Sequence, residues 1–122
     1  MAIEVQFHIH PEYLLVKMCG EWTTPAMRQS LDEIKTEADQ QGFKYLIFDM
    51  CELSRPDSEM TRFWSGEYAA QVLPPPFKIA AFADPKLVNK FGEDTAVNRG
   101  AILKVFSEEQ EALRWLMEEP NT

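Results

Sequence analysis

The residues best suited to chemistry in this chain lie in the stretch IFDMCELSRPDSEMTRFW, which spans Ile47 to Trp64. A hydrophobic run ends at Asp49, a short polar loop follows, and Asp57-Ser58 opens a pattern typical of an amphipathic helix. A serine in that position can accept a phosphate, contact a partner protein, or cap the helix by accepting a backbone N–H. The stretch leaves these three roles open for Ser58.

Asp49 and Cys51 are the candidates for catalysis. Asp49 stands at the C-terminal end of a predicted strand, where α/β proteins often place catalytic groups, but no histidine or second carboxylate is close to it. Cys51 would need a neighbouring base or cation to become a nucleophile, and its neighbour Glu52 has the wrong charge. The five glycines are scattered and form no phosphate-binding loop. We therefore predict a protein that is not an enzyme and has no cofactor.

His8 and His10 form the pattern best suited to a metal, with Glu12 nearby. A mononuclear zinc site needs three or four convergent ligands, and no further residue is spaced to complete the set. We predict two half-exposed strand residues here and no metal.

Composition and charge limit the partners. The net charge of −8 is spread along the chain, so no basic stripe is present to bind nucleic acid or anionic membranes. No apolar run approaches the ~20 residues of a membrane span, and the N-terminal MAIEVQFHIH lacks the apolar core of a signal peptide. The two cysteines make neither a disulfide framework nor a zinc set. We expect a cytoplasmic protein with reduced thiols.

Hydrophobic periodicity predicts strands that alternate with helices across a single domain of residues 1–122. The first two strands are joined by a turn, which predicts an N-terminal hairpin. The order ββαβαβαβα is typical of an α/β fold with a mixed, mainly parallel sheet. The predicted strands are Glu4–His10, Tyr13–Cys19, Tyr45–Phe48, Phe77–Ala83 and Ala101–Phe106.

Capping residues predict where the four helices begin. The first helix ends at Gly42. The third carries Leu87, Val88 and Phe91 and is interrupted by Gly92. The N-terminal signals are, in chain order, Thr24 with Pro25, Asp57-Ser58, Asp84-Pro85, and Ser107 with Gln110.

The second helix carries aromatic residues that bear on binding. Its apolar stripe is predicted to consist of Met60, Trp64, Tyr68 and Val72. Phe63 and Trp64 lie on adjoining faces. Core packing is expected for one of them, and the other can line an apolar groove or a contact between subunits. A homo-oligomer is therefore left open.

Several segments resemble STAS domains, the bacterial anti-anti-sigma factor family. In LIFDMCELSRPDSEMTRFW, Asp49 matches the family's strand-end aspartate, and Asp57-Ser58 match its Asp-Ser pair at a helix start. LLVKMCGEWTTPAM is similar to the family's second strand, Gly-Glu turn and first helix start, and AILKVFSEEQEALRWL is similar to its closing strand and helix. Asn98-Arg99-Gly100 resembles a divergent branch of uncharacterised STAS-like proteins. The similarity in order and spacing spans nearly the whole chain.

The resemblance implies a STAS-like fold and a non-enzymatic regulatory protein that binds a protein partner, such as an anti-sigma factor or a kinase-like regulator. It also makes Ser58 the candidate phosphoacceptor, because the matched serine of the family is phosphorylated by an anti-sigma kinase. Where the family continues with Ser-Gly, this chain has Glu59-Met60. For Ser58 we rank the helix cap first, partner contact second and phosphorylation third. The expected partner-binding residues are Asp49, Ser54, Arg55, Asp57, Ser58, Glu59 and Arg62.

A second hypothesis is the binding of a small apolar ligand or lipid. The same β/α fold occurs in lipid-exchange domains similar to the yeast phosphatidylinositol-transfer type, which are longer and have additional helices. In this chain the expected pocket is shallow, lies under the second helix and is lined by Phe63, Trp64 and Phe77.

Overall fold

In the part of the chain that the structure describes, five strands form a sheet in which neighbours along the chain are also neighbours in space. The computed structural model describes residues 3–85, 95 and 97–118. The strands are β1 (Ile3–Ile9), β2 (Leu14–Gly20), β3 (Tyr45–Leu53), β4 (Lys78–Phe82) and β5 (Ile102–Phe106). β1 and β2 are antiparallel, and every later pair is parallel. The predicted hairpin and the mixed, mainly parallel sheet are confirmed.

Helices cover both faces of this sheet. They are α1 (Thr24–Gln41), α2 (Glu59–Val72) and α3 (Glu109–Met117). Because successive side chains of a strand point to opposite faces, Phe48 packs with α1 and α2, whereas Ile47 packs with Leu116 of α3. The inner face of α1 consists of four buried apolar residues at helical spacing: Met27, Leu31, Ile34 and Ala38.

Local signals explain the bounds of α1. The hydroxyl of Thr23 accepts the N–H of Ala26 at 3.3 Å, and Pro25 lies in the first turn, where its missing N–H costs nothing. The cap is therefore one residue before the predicted Thr24. Gly42 ends the helix as predicted, in the left-handed conformation at φ 77° that glycine adopts without strain.

Strand β3 extends well beyond its predicted end at Phe48 and includes Cys51, which the sequence placed in a loop. Pairing with β2 continues to Gly20, across an irregularity opposite Lys17–Cys19 where β3 has one extra residue. This bulge lets both Met50 and Leu53 pack against the core formed with α1 and α2.

Two helix predictions have different outcomes. The predicted capping box at Ser107 is wrong: α3 begins at Glu109, and its N-cap is Glu108, which makes no side-chain cap hydrogen bond. Ser107 therefore lies one position too early to cap it. The predicted helix with Leu87, Val88 and Phe91 falls on residues outside those described. Within residues 3–85, 95 and 97–118, no helix has both the length and the apolar character needed to cross a membrane.

Candidate functional site

The segment from Ser54 to Ser58 is fixed by hydrogen bonds to the connection between β2 and α1. The N–H of Ser54 donates to the carbonyl oxygen of Gly20 at 2.9 Å, and the N–H of Asp57 donates to that of Trp22 at 3.2 Å. The hydroxyl of Ser54 accepts the N–H of Trp22 at 3.2 Å. These bonds hold the loop at the carboxyl ends of β2 and β3, the edge where parallel sheets usually carry functional groups.

Ser58 is the N-cap of α2. Its backbone is extended, with φ −163° and ψ 164°, and its hydroxyl accepts the N–H of Thr61 at 3.2 Å. The first four N–H groups of a helix have no partner within the helix, and a serine cap satisfies one of them. The helix-cap interpretation of Ser58 is confirmed.

A buried hydroxyl connects the loop to α1. Thr61 is 4% exposed, and its hydroxyl donates to the carboxylate of Asp57. The same oxygen lies 3.2 Å from the Ser58 hydroxyl and accepts a hydrogen bond from Thr24 at 3.3 Å. Thr61 thus joins the loop, the cap and the first turn of α1 in one network.

The outer surface of the loop and of α2 is continuous. Met60 is 52% exposed and Trp64 is 44% exposed, one helical turn apart. Directly before them, the side chains of the loop and of the first helical residue are mostly solvated. We call this the loop–helix surface; its exposed members are Ser54, Arg55, Asp57, Ser58, Glu59, Met60 and Trp64.

The exposure of Met60 and Trp64 corrects the predicted inner stripe of α2. Tyr68 and Val72 of that stripe are only partly buried. The buried face of α2 carries mostly small residues: Thr61, Ser65, Gly66, Ala69 and Ala70, together with Arg62. The large side chains of Met60 and Trp64 lie outside it.

Arg62 does not lie on the exposed surface where the sequence placed it as a partner contact. It is 8% exposed, and its guanidinium carbon lies 5.4 Å from the ring centroid of Trp22. The apolar stem of an arginine packs well on an aromatic ring, which explains this burial. Within the described part of the chain its Nε has no hydrogen-bond partner, and the carboxylate of Glu59 is 3.6 Å away.

Asp49 is also separated from the loop. Phe48 packs towards α1 and α2, so the alternation of β3 places Asp49 on the α3 face of the sheet. Its carboxylate accepts the N–H of Cys51 at 3.0 Å. Partial burial raises the pKa of the Cys51 thiol to about 11, with further contributions from the hydrogen bond to Asp49 and from the charges of Asp49, Asp84 and Glu109. Cys51 is therefore a protonated thiol at neutral pH.

An apolar cavity of about 90 Å³ lies between the sheet and the two helices α1 and α2. Small residues on both sides, Gly66 and Ala69 of α2 and Ala81 of β4, leave this space. Its lining reaches from core residues such as Phe48 to the exposed Ser54.

The three residues predicted to line a ligand pocket are not part of this cavity. Trp64 lies on a separate groove with Thr24, Arg28 and Tyr68. Phe63 contacts Trp64 edge to face, with ring centroids 4.9 Å apart. Phe77 is buried in the core, and Lys44 lies over its ring at 4.3 Å.

The histidine pattern gives no metal cluster in the described part of the chain. His10 stacks on Tyr13, with ring centroids 4.5 Å apart, and His8 pairs with Leu15 in the hairpin. Within that part, no three histidine, cysteine, aspartate or glutamate side chains converge.

Sequence reasoning missed Trp22 and Ser65. The indole N–H of Trp22 donates to the Ser65 hydroxyl at 2.9 Å, and this hydroxyl donates to the Thr61 carbonyl at 2.6 Å. The available signal was the unusual position of a tryptophan, immediately before the cap of α1. A large aromatic residue in a short connection indicates that another element packs over it.

Proteins of known structure share this architecture. An anti-sigma factor antagonist from Mycobacterium paratuberculosis superposes with a TM-score of 0.65 at 14% identity, over 96% of each chain. A DUF3478-family protein from Shewanella loihica PV-4, described as having a SpoIIAA-like fold, gives 0.55 at 20% identity over 94% of each chain. The Bacillus cell fate determinant SpoIIAA in its phosphorylated form gives 0.51 at 16% identity, over 94% of this chain and 99% of that one.

No protein-family model matches the chain, and no curated protein matches it. The likenesses of structure, at 20% identity or below, establish the fold. The chain has the STAS-like architecture of the anti-sigma factor antagonists, which confirms the predicted fold class, and these likenesses cover 94–96% of the chain.

Proposed function

We propose that this chain is a single-domain, non-enzymatic regulatory protein that binds another protein through the loop–helix surface. The observation that carries the proposal is the exposure of Met60 and Trp64 beside a fixed polar loop. Interaction surfaces commonly have an apolar centre with an aromatic anchor and a polar rim. Here Met60 and Trp64 are the centre, and Arg55, Asp57 and Glu59 are the rim.

The hydrogen bonds of the loop support this proposal. The backbone of Ser54 and Asp57 is fixed to the β2–α1 connection, and Ser58 and Thr61 fix the start of α2. A surface that is ordered before binding loses less conformational entropy when a partner docks. The loop is therefore suited to recognition in its present conformation.

The likeness of fold supports a proposal for the class of partner. The protein from Mycobacterium paratuberculosis with the same architecture is an anti-sigma factor antagonist. We accordingly propose an anti-sigma factor or a kinase-like regulator as the partner of this chain. Ser58 is exposed at the edge of the apolar centre of the proposed contact, and we propose it as the residue whose phosphorylation would regulate binding. We leave two of the expected partner-binding residues out of the proposed contact. Asp49 lies on the α3 face of the sheet, and Arg62 is buried.

The test is affinity purification from the host organism with three forms of the protein. Wild type is compared with Trp64→Glu, which places a charge in the apolar centre. Ile9→Glu is the matched control, because it makes the same charge change at an exposed apolar residue of β1. We expect a partner that is enriched by wild type and by Ile9→Glu and is lost with Trp64→Glu. The purified partner should then bind recombinant protein in the same order.

Equal enrichment by all three forms would contradict the proposed surface. No enrichment over an unrelated bait would contradict partner binding itself.

Binding of a small apolar ligand is a second candidate function, and the cavity between the sheet and α2 supports it. Native mass spectrometry of gently purified protein should show a co-purifying molecule. Ala81→Val fills the cavity from β4 and should remove that extra mass. A mass without any adduct in both forms would speak against this candidate.

A further inference from the structure

The polar groups that line the cavity have almost no hydrogens left to donate. Among the residues that the structure describes, four polar side chains line it: Trp22, Ser54, Arg62 and Ser65. The indole N–H of Trp22 donates to Ser65, the Ser65 hydroxyl donates to the Thr61 carbonyl, and the Ser54 hydroxyl donates to the Arg55 carbonyl. Of the described side chains that line the cavity, Arg62 is therefore the one that can donate a hydrogen bond to a ligand.

Arg62 is a cation whose burial is poorly compensated. Its Nε is buried and has no hydrogen-bond acceptor among the described residues. The Glu59 carboxylate, at 3.6 Å from Nε, lies beyond hydrogen-bond distance and is 63% exposed, so solvent weakens the attraction. The Trp22 ring compensates part of the charge. A buried N–H of a cation without an acceptor is unfavourable, and an anion placed against the guanidinium relieves this cost.

We propose that the cavity binds a small carboxylate whose apolar group fills the space and whose two oxygens accept from Arg62. A guanidinium presents donors in a planar fork that matches a carboxylate, and a carboxylate accepts hydrogen bonds without donating any. A carboxylate therefore fits this cavity, because the hydroxyl oxygens of Ser54 and Ser65 already accept hydrogen bonds from Trp22 and need no donor from a ligand. The proposal rests on the second candidate function and is independent of the partner-binding proposal.

The volume limits the apolar group of the ligand. A cavity of about 150 Å³ in another protein accommodates benzene, so a space of about 90 Å³ takes an alkyl group of roughly three to five carbons. Longer chains would have to leave the cavity past Ser54, the exposed residue of its lining. Affinity should therefore increase from acetate to hexanoate and then level off.

Glu59 competes with such a ligand for Arg62. It is the first residue of α2, and its carboxylate is the nearest anion to the Arg62 Nε in the described structure. When a ligand carboxylate binds Arg62, Glu59 can turn into solvent. Removal of the Glu59 charge should therefore increase ligand affinity by several-fold, an effect that a purely structural ion pair would not produce.

The experiment is a titration of ¹⁵N-labelled protein, followed by the indole N–H resonance of Trp22. The probes are sodium acetate, butanoate, hexanoate and decanoate, with hexan-1-ol and hexylammonium as neutral and cationic analogues and butyl phosphate as a second anion. We expect saturable shifts with butanoate and hexanoate. Hexan-1-ol should bind at least about tenfold more weakly, since it lacks the charge-assisted hydrogen bonds.

Three variants complete the test. Arg62→Met keeps the apolar stem on Trp22 and should lower hexanoate affinity by about tenfold or more. Glu59→Gln should increase it. Ala81→Val should abolish binding without lowering the melting temperature, because it fills existing space at a buried position.

The failures of the two proposals are distinguishable. Absence of saturable shifts with every probe would remove both the carboxylate proposal and the second candidate function. Equal affinity for hexanoate and hexan-1-ol, or unchanged affinity in folded Arg62→Met, would overturn the role of Arg62 alone. Tighter binding of butyl phosphate than of butanoate would assign the site to phosphate esters instead of carboxylates.

Discussion

The hydroxyl of Ser58 accepts the backbone N–H of Thr61 at 3.2 Å, and this bond starts α2 at the loop that precedes it. The Thr61 hydroxyl in turn donates to the carboxylate of Asp57. The Asp-Ser pair is therefore first of all a structural element that fixes the exposed residues Met60 and Trp64 relative to the loop.

Two replacements of Ser58, one that cannot cap the helix and one that can, test its role as the N-cap of α2. Ser58→Ala should lower the free energy of unfolding by about 1 kcal/mol, because the N–H of Thr61 loses its acceptor. Ser58→Asp should stay close to wild type, since aspartate caps helices as well as serine does. Urea unfolding measures both. Equal stability of the alanine and aspartate variants would argue against the cap.

Thr61→Val should destabilise the protein by about 1–2 kcal/mol, because it leaves the Asp57 carboxylate and the Thr24 hydroxyl without their buried partner. Valine has nearly the same shape, so packing is preserved. Thr36→Val is the matched control: its hydroxyl bonds only a carbonyl of its own helix and is exposed, so a change within about 0.5 kcal/mol is expected. Thermal unfolding of the two variants gives the comparison. Similar losses for both would show that the network contributes nothing beyond a single exposed hydroxyl.

The thiol of Cys51 should react slowly at neutral pH. Its pKa is raised from 9.0 to about 11, so the thiolate that attacks iodoacetamide is scarce until strongly basic pH. In a Cys19→Ser background, the alkylation rate followed by mass spectrometry should rise with a midpoint near pH 11. Asp49→Asn should lower that midpoint, because it removes a negative charge and an acceptor.

The raised pKa of Cys51 also makes the stability of the fold depend on pH. Because the folded pKa is raised, the contribution of Cys51 to stability is fully present below about pH 9 and is lost as pH rises through about 11. An alkylation rate with its midpoint near pH 9 in both the Cys19→Ser parent and its Asp49→Asn form would contradict the raised pKa of Cys51.

Features of the fold that depend on local chemistry could be predicted from the sequence. Gly42 ends α1 and Ser58 caps α2 because the backbone at each place needs that residue type. The hairpin follows from the alternation of apolar and polar residues, and the buried strands follow from continuous apolar runs. In β3 the end was missed, although Met50 and Leu53 were apolar signals of a longer strand with a bulge.

The orientation of α2 could not be predicted in the same way. Four large residues at helical spacing suggested an inner stripe, yet the inner face consists mainly of small residues such as Ser65 and Gly66. The reason is tertiary: Trp22 lies 43 residues before Ser65 and donates a hydrogen bond to it. Arg62 is buried on the ring of the same tryptophan, a contact that no local pattern contains.

A charge at Ser58 should weaken partner binding without weakening the fold. The residue is exposed between Asp57 and Glu59 and precedes Met60, so an added charge would have to be desolvated at the edge of an apolar contact, beside two carboxylates. Ser58→Asp, which keeps the cap, should therefore reduce affinity for the purified partner, while Ser58→Ala should bind like wild type despite its lower stability. Binding is measured by calorimetry at a temperature where all three forms are folded. If Ser58 is a regulated phosphoacceptor, protein isolated from its host at successive growth phases should carry a phosphate there in some fraction. Equal affinity of the aspartate variant and wild type, together with unmodified Ser58 in every phase, would leave Ser58 with the role of a helix cap on a constitutive interaction surface.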